Sequence, residues 1–87
     1  MQLLDSLELA ILTRLVNVSR YQQVYVKAIE FGATDKEFSR AVKYLSKRGM
    51  IEVSWKAQKS PGLFSRSYFC ECFGRITEHG LRVVIAG

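Results

Sequence analysis

Apolar residues recur at helical spacing in the first third of the chain. Asp5 and Glu8 form a capping box, in which each side chain accepts a bond from the other's backbone N–H, and four apolar residues follow three or four positions apart. These residues are Leu7, Ile11, Leu12 and Leu15. The pattern predicts a first helix that ends near Val16.

A second apolar stretch begins near Val24 and stops at Gly32, which suits a helix C-cap, so it predicts a short second helix.

The segment Thr34–Arg48 has the clearest helical pattern in the chain. Thr34 and Glu37 form another capping box, and a basic last turn is followed by Gly49, which tolerates the left-handed cap conformation. Its apolar positions fall at i, i+3, i+4 and i+7, namely Phe38, Ala41, Val42 and Leu45. We therefore expect a third helix with one buried face and one face in solvent.

Alternating positions then predict a β-hairpin. The apolar residues Ile51, Val53 and Trp55 alternate with Glu52, Ser54 and Lys56, as in a half-buried strand. Residues 67–76 are rich in Tyr, Phe and Cys and are predicted to return as the second strand. Between the strands, Ser60-Pro61-Gly62 favours a turn. A short terminal helix is predicted from Thr77, and Gly80 inside it costs up to about 1 kcal/mol relative to alanine.

Length and composition describe one folded domain that covers residues 1–87. The chain has 48% hydrophobic and 24% charged residues, which is ordinary for a globular protein, and it is too short for a second domain. No apolar run approaches the roughly 20 residues that span a bilayer. The N-terminus is acidic and lacks the basic region of a secretory signal. We therefore expect a cytoplasmic protein with no membrane partner.

The basic charge is concentrated in the second part of the chain. The formal net charge is +5. Residues 1–35 hold three basic and four acidic side chains, whereas residues 36–87 hold ten basic and four acidic ones. A localised basic excess attracts phosphate backbones or anionic membranes, and the charge therefore makes nucleic acid a candidate partner.

Three short motifs occur in order along the chain. Ala28, Gly32 and Phe38 are spaced like the small, turn and packing residues of a helix-turn-helix. Residues 40–51 run as an apolar ladder into a glycine and an apolar pair, and Ile76-Thr77-Glu78-His79-Gly80 is close to Leu-Thr-Glu-x-Gly. Together they resemble the winged-helix family of small prokaryotic, archaeal and viral transcription regulators of the MarR and PadR kind. The resemblance implies an α+β winged helix-turn-helix with a three-helix core, a two-stranded β-hairpin wing and a short terminal helix.

The same resemblance implies a mode of DNA binding. Helix 34–48 would lie in the major groove and the basic wing 56–66 on the minor groove or the backbone. Arg40 is the expected base contact, because its planar guanidinium can bind guanine O6 and N7. The expected contact residues are Lys36, Ser39, Arg40, Lys43 and Lys47 on this helix, Arg20, Gln22 and Gln23 at the start of the second helix, and Lys56, Lys59 and Arg66 in the wing.

The sequence thus predicts a transcription regulator that binds double-stranded DNA sequence-specifically. A homodimer is expected because one such module buries too little surface for tight specific binding, with its contact surface on the first helix or on residues 83–85. Two alternatives remain open. The chain could be a winged-helix module that binds a protein partner, or a plasmid or viral replication protein that uses the same DNA contacts.

Catalytic and metal-binding patterns are not found. The sequence has no nucleophile–base pair, no paired carboxylates and no phosphate-binding glycine loop, so we do not expect an enzyme. Cys70 and Cys72 alternate along a strand, but His79 is the only further ligand in range, and a structural zinc site needs four. We expect no metal, cofactor or small-molecule ligand, and we interpret the two cysteines as buried apolar residues of the sheet.

Overall fold

The computed structural model describes residues 4–18, 22–58 and 68–86, which form three α-helices, a short 3-10 helix and a three-stranded antiparallel sheet. In chain order the elements are α1 (Ser6–Val18), β1 (Val24–Lys27), the 3-10 helix Ala28–Phe31, α2 (Asp35–Lys47), β2 (Ile51–Gln58), β3 (Phe69–Ile76) and α3 (Glu78–Ala86). The predicted α+β class is confirmed. The sheet has one strand more than the two-stranded hairpin that was predicted.

Both predicted capping boxes are confirmed. At the start of α1, Asp5 Oδ1 accepts the Glu8 N–H at 2.8 Å and Glu8 Oε1 accepts the Asp5 N–H at 3.0 Å. At the start of α2, Thr34 Oγ1 accepts the Glu37 N–H at 3.1 Å and Glu37 Oε1 accepts the Thr34 N–H at 3.0 Å. These bonds satisfy backbone donors that a helix leaves free in its first turn, and they fix where each helix begins.

The prediction of a second helix from Val24 is wrong for its first half. Val24–Lys27 is strand β1, which pairs antiparallel with β3 at one edge of the sheet. Val24 and Val26 are buried while Tyr25 and Lys27 are exposed, as expected for a strand with one covered face. Only Ala28–Phe31 is helical, and it ends at Gly32. The φ of Gly32 is +64°, in the left-handed region that glycine adopts without strain. The β-branched and aromatic residues of β1 favour the strand.

The hydrophobic core lies between the helices and one face of the sheet, which we call the inner face. The sheet has the strand order β1-β3-β2. Phe38 of α2 is fully buried, and its ring makes an edge contact with Phe69 of β3 at 5.9 Å between centroids. Other core residues include Ile11, Leu12 and Leu15 from α1, Val42 and Leu45 from α2, and Val26, Cys72 and Ile76 from the sheet. Within the described ranges, no helix has the length and apolar content needed to cross a membrane.

Two residues of the β2–β3 pair have no partner across the ladder. Val53 pairs with Gly74 and the next pair is Trp55 with Phe73, so Ser54 is an extra residue in β2. Cys70 is an extra residue in β3 in the same way. Each is a β-bulge, which interrupts the strict alternation of side chains between the two faces.

Because of the bulge at Ser54, Trp55 lies on the face of the sheet opposite to the one predicted. Alternation predicted that Ile51, Val53 and Trp55 share one buried face, but Trp55 is 49% exposed and lies on the opposite, outer face of the sheet. Lys56 is correspondingly turned to the inner face, where it pairs with the buried Cys72. The Ser54 hydroxyl lies 2.9 Å from the Phe73 carbonyl oxygen and 3.0 Å from Gln23 Oε1, and so links the bulge to the rest of the sheet.

The turn after α2 is bound to the start of α3. The Thr77 N–H donates to the Met50 carbonyl oxygen at 3.0 Å, and the Thr77 hydroxyl donates to the Gly49 carbonyl oxygen at 2.6 Å. The same hydroxyl accepts the Gly80 N–H at 3.1 Å. A Cβ at Gly80 would overlap the Met50 carbonyl oxygen, which explains why a helix contains glycine at this position.

Candidate nucleic-acid interface

Four basic side chains lie along the face of α2 that is opposite its buried residues. All four are exposed, and we call them the basic stripe: Lys36, Arg40, Lys43 and Lys47. At 100° of rotation per residue they fall within an arc of about 60°, and at 1.5 Å of rise per residue they extend over about 17 Å. The core residues Phe38, Val42 and Leu45 occupy the other side of the helix. This part of the predicted interface is therefore arranged as one surface.

The acidic residues of α2 fall outside the arc of the basic stripe. Asp35 and Glu37 lie in the first turn, where negative charge interacts favourably with the positive end of the helix dipole. Glu37 is also held in the capping box. The hydrogen bond from the Thr34 backbone N–H keeps the pKa of the Glu37 carboxyl below its usual value, and the Thr34 side chain makes a smaller contribution in the same direction. The stripe thus presents four positive charges with no carboxylate between them.

Arg48 at the C-cap of α2 is a further exposed cation that was not among the predicted contact residues, and it falls outside the arc of the basic stripe. Its guanidinium carbon lies 4.9 Å from the centre of the Tyr44 ring, close enough for a cation–π contact. The signal was available in the sequence, because a tyrosine and an arginine four positions apart lie on the same side of a helix. The contact orders an exposed basic group next to Lys47.

Lys56 is placed close to α2 by the fold of β2. It is exposed, and its Nζ lies 5.3 Å from the centre of the Phe69 ring. The backbone of Phe69 is in turn bonded to Ser39 in α2, which immediately precedes Arg40. This predicted wing residue therefore lies on the inner face of the sheet, near the residue of β3 to which α2 is bonded through Ser39.

Ser39 was predicted to contact DNA, and this prediction is wrong. Its relative exposure is 0%, and its hydroxyl donates to the Phe69 carbonyl oxygen at 3.0 Å and accepts the Phe69 N–H at 2.7 Å. The pairing of β1 with β3 ends at Lys27 and Glu71, and beyond it the serine hydroxyl supplies Phe69 with a donor and an acceptor. Ser39 thus links α2 to the sheet.

The remaining predicted contact residues lie away from α2 or outside the described ranges. Gln22 and Gln23 are exposed but precede a strand, so the expected phosphate contact at a helix N-terminus is wrong for them. The Gln23 amide oxygen instead lies next to Ser54. Arg20, Lys59 and Arg66 lie outside the described residues, as does the wing beyond position 58.

The two cysteines differ in their surroundings. Cys72 is buried in the core as predicted, and burial raises the pKa of its thiol to about 12 against the opposing effect of the Lys56 charge. Cys70 occupies the bulge in β3 and is only partly buried. In the described part of the chain, no three His, Cys, Asp or Glu side chains group so as to hold a metal ion.

Comparison with known proteins identifies no relative of this chain. No family model matches it, and neither a curated protein nor a solved structure matches it. The basic stripe of α2 is accordingly the observation from which a function can be argued.

Proposed function

We propose that this chain is a winged helix-turn-helix protein that binds double-stranded DNA through α2 and regulates transcription. The observation that carries the proposal is the basic stripe, four exposed cations along one side of a helix that is anchored to the core by its other side. The major groove of B-DNA is about 12 Å wide and admits an α-helix. A helix held in this way can enter the groove as a rigid element.

The positions along α2 suggest different roles for the four cations. Lys36 and Arg40 lie in the first half of the helix, which approaches base edges in helix-turn-helix proteins. Arg40 is assigned the base contact because its guanidinium can donate two parallel bonds to guanine. Lys43 and Lys47 are assigned to phosphates, together with Lys56 on the neighbouring strand. Lys59 and Arg66 would extend these phosphate contacts.

The test is a binding titration with a duplex selected by this protein from a random DNA pool. Arg40→Ala is expected to weaken binding to the selected site by about tenfold to a hundredfold and to relax the preference at one base pair, as for loss of a bidentate contact. Lys43→Ala is expected to weaken selected and unrelated duplexes alike. Unchanged affinity of both variants would exclude α2 as the DNA-binding element.

Lys27→Ala is the matched control, because Lys27 is an exposed cation on the outer face of the sheet. It removes the same charge as Lys43→Ala but from the side of the molecule that faces away from α2. We expect it to bind DNA with nearly the affinity of the wild type. A loss equal to that of Lys43→Ala would mean that net charge, and not the basic stripe, determines binding.

A further inference from the structure

Three aromatic side chains form a row across the outer face of the sheet. Tyr25 of β1 and Trp55 of β2 are both paired with Phe73 of the central strand β3. The Tyr25 and Trp55 rings are stacked with their centroids 5.8 Å apart, and the Tyr25 and Phe73 centroids are 6.3 Å apart. Tyr25 is 40% exposed and Trp55 is 49% exposed, so a large part of this aromatic row is open to solvent. Clustered exposed aromatics are typical of interaction surfaces.

Opposite charges lie symmetrically on either side of the row. On β3, Glu71 precedes Phe73 by two residues and Arg75 follows it by two, so both share its face. Glu71 pairs with Lys27 across the β1 ladder, and Arg75 Nη2 lies 2.7 Å from Glu52 Oε2 on β2. These four side chains have no net charge. Unlike the basic stripe, this face has no electrostatic preference for a polyanion.

We propose that the outer face of the sheet binds the same face of a second copy of this chain. The symmetry of the charges favours this partner. A two-fold axis that runs along the aromatic row, perpendicular to the strands, places the rows of the two copies face to face and reverses the direction of β3 in the second copy. Arg75 of each copy then lies opposite Glu71 of the other, which gives two such pairs per dimer. Such self-complementarity is what a two-fold interface between identical chains requires.

This surface differs from the one predicted from the sequence, which was the first helix or residues 83–85. In the described part of α1 and α3, the large apolar side chains that are most exposed are Leu9, at 44%, and Ile85, at 71%. Single exposed apolar residues are common on monomeric proteins. The outer face instead combines contiguous aromatic rings with a self-complementary charge pattern.

The size of the face sets the expected affinity. Three strands about 4.8 Å apart and five residues of about 3.4 Å each give a patch of about 14 by 17 Å on each copy. A dimer of this patch buries less than the roughly 1,200 Å² of a stable complex. We therefore expect reversible dimers with a dissociation constant of about 1 to 100 μM.

Sedimentation velocity in the absence of DNA tests the proposal with two variants, Glu71→Arg and Arg75→Glu. The first makes both ends of β3 basic and the second makes both ends acidic, so each variant alone should repel itself and remain monomeric. An equimolar mixture restores both attractive pairs and should dimerise at least as well as the wild type. Because no DNA is present, failure here is distinguishable from failure of DNA binding.

The matched controls carry the same charge changes on α3, where Glu78 and Arg82 form an exposed ion pair. Glu78→Arg and Arg82→Glu should each dimerise like the wild type, and circular dichroism checks that all variants are folded. A wild type that stays monomeric up to about 0.5 mM, well above a micromolar dissociation constant, would overturn the proposal. So would a mixture of Glu71→Arg and Arg75→Glu that associates no better than its components.

Discussion

Ser39 lies in the middle of the proposed DNA-binding helix, yet its hydroxyl is bonded to both backbone groups of Phe69. Ser39→Ala would leave a buried N–H and a buried carbonyl without partners, which costs about 1–3 kcal/mol. We expect urea unfolding to show this loss. Ser46→Ala, on an exposed position of the same helix, should change the free energy of unfolding by less than about 0.5 kcal/mol. Equal unfolding midpoints for the two variants would contradict the structural role of Ser39.

Burial of Cys72 predicts a dependence of stability on pH. The folded state keeps the thiol proton until its raised pKa of about 12, whereas the unfolded chain loses it near the ordinary pKa of 9.0. Between these values the folded state binds more protons than the unfolded state, so the free energy of unfolding falls as the pH rises above about 9. Urea denaturation at about pH 7.5 and pH 10 should show a larger fall for the wild type than for Cys72→Ala.

The thiol gives a second measurement for the same residue. In the native protein Cys72 should react with a disulfide reagent only as fast as the protein unfolds, because it is buried and protonated at neutral pH. Rapid modification of Cys72 in the folded protein would contradict both its burial and the direction of its pKa.

At the scale of elements, the close contact between α3 and the turn after α2 predicts that Gly80→Ala lowers the free energy of unfolding. Gly80→Ala improves helix propensity by about 1 kcal/mol, so α3 considered alone would be stabilised. The added Cβ would overlap the Met50 carbonyl oxygen, and we expect a net loss of about 2–4 kcal/mol. Thermal unfolding is the measurement. His79→Ala, one residue earlier and exposed, is the control, and a higher melting temperature for Gly80→Ala would disprove the close contact.

Elements defined by local bonds could be predicted from the sequence, and those defined by pairing could not. The capping boxes at Asp5 and Thr34 involve residues three positions apart, and both were predicted correctly. The four residues of β1 are too short a pattern to separate a strand from a helix, since Val24 and Ala28 also fit helical spacing. Their conformation depends on β3, almost fifty residues later.

The candidate site shows the same division. The basic stripe follows from the amphipathic pattern of α2 and was predicted in full. Ser39 lies at the edge of the buried face, where the helical pattern alone does not show whether a small polar residue meets solvent or a neighbouring strand. The faces of Trp55 and Lys56 depend on the bulge at Ser54, which is visible only once β2 is paired with β3.

At the scale of the whole molecule, the charge distribution predicts how DNA binding depends on salt. Each phosphate that a cation neutralises contributes about −0.9 to the slope of log K against log salt. The cations assigned to phosphates allow a slope as steep as about −4.5, and Lys56→Ala should reduce it by about 0.9. These five are Lys43, Lys47, Lys56, Lys59 and Arg66. Fluorescence anisotropy between about 50 and 200 mM salt measures this. A slope near zero would favour the alternative of a protein partner.

Dimerisation through the outer face would direct the two α2 helices to opposite sides of the dimer, because α2 packs against the inner face. If α2 binds DNA as proposed, one dimer can hold two duplexes together. A bead-bound duplex should then retain a labelled second duplex in the presence of the wild type. Glu71→Arg should abolish this retention while its affinity for a single duplex stays within about twofold. Retention by this variant would exclude the outer face as the bridging contact.

The bulge at Ser54 means that β2 holds one residue more than its pairing with β3 requires. An in-frame loss of codon 54 would give a regular strand in which Val53, Trp55 and Lys56 keep their present partners and faces. Loss of codon 56 would instead pair Ala57 with Cys72 and exchange the faces of the following residues. Single-codon deletions in this stretch of the gene should therefore differ sharply in effect. The first should give a folded protein with both surfaces in place, and the second should lose the cation next to α2.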